Sequence, residues 1–405
     1  MNLSNESANA AVPAGVALYM AVVQFFFVTT WTIYVIFLPK LLASAGLPVS
    51  WTPFILIFDQ LIFMAMDIYV GVAADRAQKM VGKLGPLVIG LTVASCIAFM
   101  LLPFAGKMGA AAPAVALGLM LVWTTTSSAL RAPPWVLLAK YSAAPSVPRL
   151  NTMLLCGLAA GGAIAPYLGV ALKNVDPRLP FALSSLTLLA ATVGIVYVER
   201  HLKLSPVAPT SPTPEPVDVA GRSWPFLAGV LLLAVGFQIH YSINTAAQFL
   251  KFTKPEGLEW LMPVFWIGFG VAMMPGSALC KRFGTYQVMA LSAVLGALGA
   301  YASASAGSLD MLIAAQVVTG GAWGSMLMCG FSAAVAAGRT GSEGLSLGLL
   351  FAVLAAATLS RIVTVVAGLP KQAEYAALFS WAPALCWGAG AILVGMLAFR
   401  SRATA

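Results

Sequence analysis

The sequence predicts an all-α membrane protein of twelve transmembrane helices, arranged as two six-helix halves. Three observations predict it. Of 405 residues, 60% are hydrophobic and 9% charged, with a mean hydropathy of +0.92, too little charge to cover a soluble protein of this size. Apolar stretches of about 20 residues, the length that spans a bilayer, recur from end to end. The longest polar segment falls between the sixth and seventh stretches and divides the chain in two.

Bounded by Pro, Gly and charge, the spans run near 14–38, 51–74, 84–105, 113–138, 150–172, 180–198, 225–249, 258–280, 285–305, 309–337, 344–368 and 378–399. The expected organisation is an N-terminal bundle over 1–198, a linker over 199–224 and a C-terminal bundle over 225–405. The linker contains "SPVAPTSPTPEPVD" (Ser205 to Asp218), whose five prolines favour an extended, unpacked chain.

Charge sets the orientation. With both termini inside, 13 of the 22 Lys and Arg face the cytoplasm and 7 face outside, while Arg131 and Arg361 fall within spans. That bias predicts cytoplasmic termini in a bacterial-type inner (plasma) membrane. It also explains the net charge of +9, because the basic residues are scattered singly in short loops with no aromatic–basic strip for nucleic acid. "MNLSNESANAAVP" lacks a basic n-region and leads straight into the first span, so no cleavable signal is expected. Cys96, Cys156, Cys280, Cys329 and Cys386 all lie in apolar stretches, as small packing residues do, without zinc-type spacing.

The halves echo each other. "GVAADRAQKMVGK" (Gly71 to Lys83) follows the second span and "GSALCKRFG" (Gly276 to Gly284) follows the eighth; both run glycine, small or apolar residues, a polar position, then a base. Gln24 precedes "FFFVTTWT" in the first span, and Gln238 precedes "IHYSINT" in the seventh. Two related halves joined by a linker point to a transporter that rocks about a central site.

These residues resemble the major facilitator superfamily, through the six-plus-six plan and through Gly71-x-x-x-Asp75-Arg76, which looks like its loop motif between the second and third helices. Lys79 and Lys83 spread the basic tail of that motif over "KMVGK". The resemblance implies two pseudo-symmetric six-helix bundles and an inner gate at Gly71, Asp75 and Arg76. "MDIYVGVAADR" is similar to the glycoside–pentoside–hexuronide:cation symporters, which place an Asp four residues before the motif glycine, where Asp67 stands. Ile68 replaces that family's Pro and Phe63 its second cation-binding Asp, so the coupling ion is expected to be H+ rather than Na+.

Ionisable groups inside a span are costly and mark function. Asp59 and Asp67 are eight residues apart on one helix, hence about 12 Å along it and roughly 80° around it, too far to share a proton. Arg131 in the fourth span shares a polar face with Ser127 and Ser128. It either clamps an anionic group with its forked donors or pairs with Asp67 at similar depth. Asp59 and Arg361 lie at comparable depth on the second and eleventh helices, which face each other in the superfamily, and form the expected outer gate. Snorkelling of Arg361 is the plain alternative. Asp75, at a helix end, can face a neighbouring helix N-terminus. In the seventh span His240, Asn244 and Gln248 follow i, i+4, i+8 beside Gln238 and Tyr241. The stripe is expected to bind solute together with Gln24 and Arg131, and Asp67 or His240 to carry the coupling proton.

The expected function is secondary active transport of a small organic solute, coupled to protons and worked by a monomer. Two membrane arginines favour an anionic solute. A neutral sugar-like solute is the nearest rival, favoured by Gln24, Gln238, Asn244, Gln248, Trp31 and Trp123. Multidrug or metabolite efflux comes next, disfavoured by the polar stripe. No P-loop, HExxH or GxSxG occurs, so neither a cofactor nor an enzymatic reaction is expected. The 17 methionines show no ordered pairing with His240 or a cysteine, so metal cargo is not expected.

Overall fold

The computed structural model describes residues 14–78, 84–131, 135, 147–203, 219–338 and 341–403. Without water to satisfy them, backbone groups in a bilayer bond within their own helix, and among the described residues the long apolar stretches are helical. The N-terminal bundle is α1 (Ala14–Ser44), α2 (Thr52–Gln78), α3 (Leu84–Leu101), α4 (Ala112–Ser128), α5 (Val147–Ala171) and α6 (Arg178–Lys203). In the C-terminal bundle α7 begins as Val219–Phe237, continues as a π-helical segment Gln238–Thr245 and ends in the turn Ala246–Phe249. Then come α8 (Pro263–Phe283), α9 (Thr285–Ala304), α10 (Leu309–Gly338), α11 (Glu343–Val366) and α12 (Ala373–Ala403). Among the described residues, eleven helices are long and apolar enough to cross a membrane, and α6 adds a shorter apolar stretch, Arg178–Gly194.

Two details depart from the sequence expectation. The α6 and α7 helices run to Lys203 and from Val219, into the expected linker; its Pro-rich stretch lies outside the described residues, as do Lys79, Lys83, Lys140 and Arg339. The α4 helix stops at Ser128, and Arg131 sits in a turn beyond it, where its amide donates to the Ser128 carbonyl at 3.1 Å.

Large apolar side chains such as Leu18, Leu121, Leu186, Leu298 and Phe399 stay exposed on the outside, as lipid contact requires. Within the N-terminal bundle α1 packs on α5 and α6, and α3 on α4 and α6. Its aromatic core joins Tyr34, Phe99, Trp123 and Phe181, with Phe99 stacked on Phe181 at 4.1 Å. In the C-terminal bundle α10 packs on α8 and α9, and α12 on α7 and α9.

The halves meet along α2 against α11 and along α5 against α8 and α10. At the α2–α11 crossing the backbones touch: a Cβ on Gly71 would run into the Gly344 carbonyl, and one on Gly344 into the Gly71 carbonyl. One turn further along, Gly348 lies against the Asp67 carbonyl. Small residues permit this approach, and nothing larger fits. Gly71→Leu should therefore lower the thermal unfolding midpoint in detergent, with overpacking costing about 1–3 kcal/mol. Gly118→Leu, on an exposed face with no atom near its Cβ, should leave that midpoint unchanged.

Candidate functional site

A cavity of about 300 Å³ lies between the halves. The first bundle contributes Gln24, Trp31, Gln60, Phe63, Trp123, Ser127 and Arg131; the second contributes Phe237, Gln238, Trp266, Trp323, Phe351 and Thr358. The walls are mainly aromatic, with amides and hydroxyls set among the rings. Gln238 Nε2 donates to Thr358 Oγ1 at 2.9 Å, which ties α7 to α11 across the wall.

The floor is built from both halves. Trp135 stacks on Phe331 of α10 at 3.8 Å and 14°, and both are 2% exposed. Beside them the Arg131 guanidinium lies 5.0 Å from the ring centroid of Phe63 on α2 and 5.0 Å from that of Phe351 on α11. A cation over a ring face gains about 0.5–2 kcal/mol per ring, more as it is further desolvated. Arg131 Nη1 also lies 3.1 Å from Oδ2 of Asp67, whose side chain is fully buried. Neither Asp67 oxygen has a hydrogen bond of good geometry, so this is an ion contact and not the forked pair of an ideal salt bridge.

Below the floor the two halves are bonded together at one end. Asp75 Oδ1 accepts from the Gly344 amide at 2.7 Å and Oδ2 from the Leu345 amide at 2.8 Å, so a carboxylate of one half caps the α11 N-terminus in the other. Arg76, next to it, is exposed and makes no ion pair with Asp75. Asn151 Nδ2 donates to Ser332 Oγ at 3.0 Å, joining α5 to α10. The exposed bases Arg76, Arg149, Lys281 and Arg282 lie at this end. At the opposite end Tyr167 and Trp260 touch edge to face at 5.2 Å.

Asp59 and Arg361 are not brought together. Asp59 accepts from Thr124 Oγ1 at 2.7 Å and from Tyr34 at 3.1 Å, so it ties α1, α2 and α4 inside one bundle. Gln60, one residue on and about 100° around the helix, takes the cavity position instead. Arg361 is half-buried, and its Nε has no hydrogen-bond partner.

The expected stripe on α7 divides as well. Gln238 lines the cavity, and Tyr241 borders it by accepting from Trp266 Nε1 at 2.7 Å. His240, Asn244 and Gln248 turn into the C-terminal bundle. His240 Nε2 lies 3.2 Å from Gln316 Oε1, Gln316 Nε2 donates to Gln248 at 3.4 Å, and Asn244 donates to the Phe379 carbonyl at 2.7 Å. The three stay on one face, as their i, i+4, i+8 spacing has it, but two residues turn a helix by about 200°, which sets His240 opposite Gln238 and away from the cavity; the segment is π-helical. Thr245 Oγ1 donates to the His240 carbonyl five residues back at 2.9 Å. Among the described residues no three His, Cys, Asp or Glu side chains converge as metal ligands.

Sequence reasoning passed over Gln60, Thr358 and the ring floor of Phe63, Trp135, Phe331 and Phe351. Gln60 and Thr358 carried a signal, as polar residues in apolar helices. The rings carried none, because aromatic residues are common in every span. Asp75→Asn removes the charge from the α11 cap, and hydrogen bonds to charged groups are worth about 1.5–3 kcal/mol each. Alkylation of a Leu327→Cys probe, at a cavity-lining position of α10, from the Arg76 end should accelerate roughly tenfold or more in D75N, measured against the same probe with Asp75 intact.

No protein-family model matches the chain, and neither does any curated protein sequence. Solved structures do match. A bacterial homologue of the iron transporter ferroportin, in an outward-facing state, is similar at 13% identity over 94% of this chain and 98% of that one, with a TM-score of 0.70. The human organic anion transporter MFSD10 is similar at 14% identity over 95% and 98%, with a TM-score of 0.67. The E. coli fucose:proton symporter FucP is similar at 16% over 95% and 99%, with a TM-score of 0.65. A further structure of FucP, in the outward conformation, is named a Major Facilitator Superfamily transporter. At these identities the likeness is one of architecture: the chain has the major facilitator fold, twelve helices in two related bundles around a central cavity.

Proposed function

We propose that this chain is a secondary active transporter. It carries a small organic solute by alternating access, with a proton moving on and off Asp67 as the coupling step. The observation that carries this reading is the Arg131–Asp67 contact at the cavity floor, with Arg131 held between a ring of each half. While Asp67 is charged, it fixes Arg131 between Phe63 and Phe351, and the floor stays shut. Protonation removes the countercharge, frees the guanidinium and loosens the junction of α4 with α2 and α11. The Asp75 cap and the Asn151–Ser332 bond hold the same end closed, which is the cytoplasmic end if the positive-inside rule applies. On this reading solute reaches the cavity from the opposite end, where Tyr167 and Trp260 are the contact that has to part.

The cavity also limits the solute. Because Asp67 offsets Arg131, the cavity floor presents no net charge, and the walls offer ring faces with Gln24, Gln60 and Gln238. That chemistry suits the ring-bearing part of a solute, held by stacking and amide hydrogen bonds, and leaves any charge the solute carries to be met outside the floor. A neutral sugar-like solute is the second reading, favoured by the same tryptophans and amides. The iron, anion and fucose:proton labels belong to the similar structures, and of these the proton symporter fits the buried Asp67–Arg131 pair.

Proteoliposomes with imposed pH or sodium gradients, screened with a panel of radiolabelled sugars and aromatic acids, test the reading. A pH gradient should drive accumulation of at least one panel member, and a sodium gradient should not. Asp67→Asn should abolish pH-driven accumulation while keeping solute exchange at equal pH within about threefold. Accumulation that survives in D67N removes Asp67 from coupling. Accumulation driven by sodium alone removes the proton.

A further inference from the structure

Arg361 is the membrane arginine that the coupling scheme leaves unused. It follows Thr358 by three residues and Leu354 by seven on α11, and both of those line the cavity. These offsets share one helix face, and side chains of a helix lean toward its N-terminus. On α11 that direction runs back toward Thr358 and the cavity; Arg361 is not itself a lining residue and lies one turn beyond Thr358 on the same helix face. Its Nε is buried without a hydrogen-bond partner. Among the described residues the ion pairs are Arg131–Asp67 and Arg178–Asp176, so Arg361 lacks a carboxylate. Asp59, the acid at comparable depth, is already held by Tyr34 and Thr124.

A guanidinium stays charged, and at membrane depth an uncompensated charge is expensive. Arg131 meets that cost with Asp67 and two rings, whereas Arg361 has none of these. A free fork of donors one turn beyond the lining of a neutral, ring-lined cavity is an arrangement for receiving an anion from outside. We propose that Arg361 is the anion subsite of this cavity. The solute is an organic acid whose ring lies among the tryptophans and amides while its carboxylate or other oxyanion group docks on Arg361. The inference rests on the transport reading above and narrows its solute to ring-bearing organic anions.

Charged thiol reagents test this without knowledge of the solute. Thr358→Cys and Leu354→Cys are each made in the full chain with Arg361, with Arg361→Gln and with Arg361→Lys. Rates are measured with sulfonatoethyl (anionic) and trimethylammonioethyl (cationic) methanethiosulfonate, added from the side opposite Arg76, and corrected for the protein without the added cysteine. With Arg361 the anionic reagent should react faster than the cationic one. The ratio should fall at least about fivefold in R361Q, as expected for a unit charge within ~10 Å acting oppositely on the two probes. R361K, which keeps the charge, should hold the ratio within about twofold. Equal ratios in Arg361 and R361Q overturn the inference while leaving the transport reading intact; they are the result expected of an arginine that snorkels to the membrane surface. If neither cysteine reacts from that side, access to the cavity from that end is itself refuted, and the anion subsite with it.

Discussion

One contact organises the rest of this structure: a fully buried carboxylate, Asp67, facing Arg131 where the two bundles meet. Burying an ion costs several kcal/mol, and a single imperfect ion contact repays only part of it. Such a contact adds little net stability but responds sharply to a proton, because removing one charge strands the other. Its position gives that response an outlet. Arg131 touches a ring of α2 and a ring of α11 at the same distance, so a change in the pair is felt by both halves at once.

On the proposed mechanism, the surrounding features let that contact act as a switch. Gly71 and Gly344 let α2 and α11 approach until their backbones touch, which brings Asp75 within hydrogen-bond reach of the α11 N-terminus. The paired rings of Trp135 and Phe331 close the space beside Arg131. Above this floor the cavity has room for a solute, and its polar groups come from both halves. Ion contact and capped helix therefore lie along the α2–α11 seam, with the stacked rings beside it against Phe351. Their interactions are mostly electrostatic or surface contacts between rigid helices, which can break and reform without unfolding either bundle.

The sequence displayed the spans clearly, because twenty apolar residues between polar breaks leave little else to build in lipid. It also placed Asp67 and Arg131 at matching depth, since depth can be counted along a helix from its ends. Azimuth was harder to read. Asp59 and Gln60 are neighbours, yet one faces α1 and α4 while the other faces the cavity, and nothing in their order says which. The α7 stripe shows the same difficulty: His240, Asn244 and Gln248 do share a face, but two residues turn a helix by about 200°, so that face is opposite the one on which Gln238 lines the cavity. The floor rings were invisible because Phe331 and Phe351 lie nearly two hundred residues or more from Trp135 and meet it only through the packing of the two halves.

On the proposed mechanism, the charge on Asp67 sets whether the halves are closed at the Arg76 end. Spin labels at Arg149→Cys on α5 and Lys281→Cys on α8, exposed positions of opposite halves at that end, report it by pulsed electron–electron distance measurement. In the native background, lowering the pH should move population from a short to a longer distance. In Asp67→Asn the longer distance should dominate at every pH. A distribution that follows pH equally with and without the Asp67 carboxylate would contradict the account.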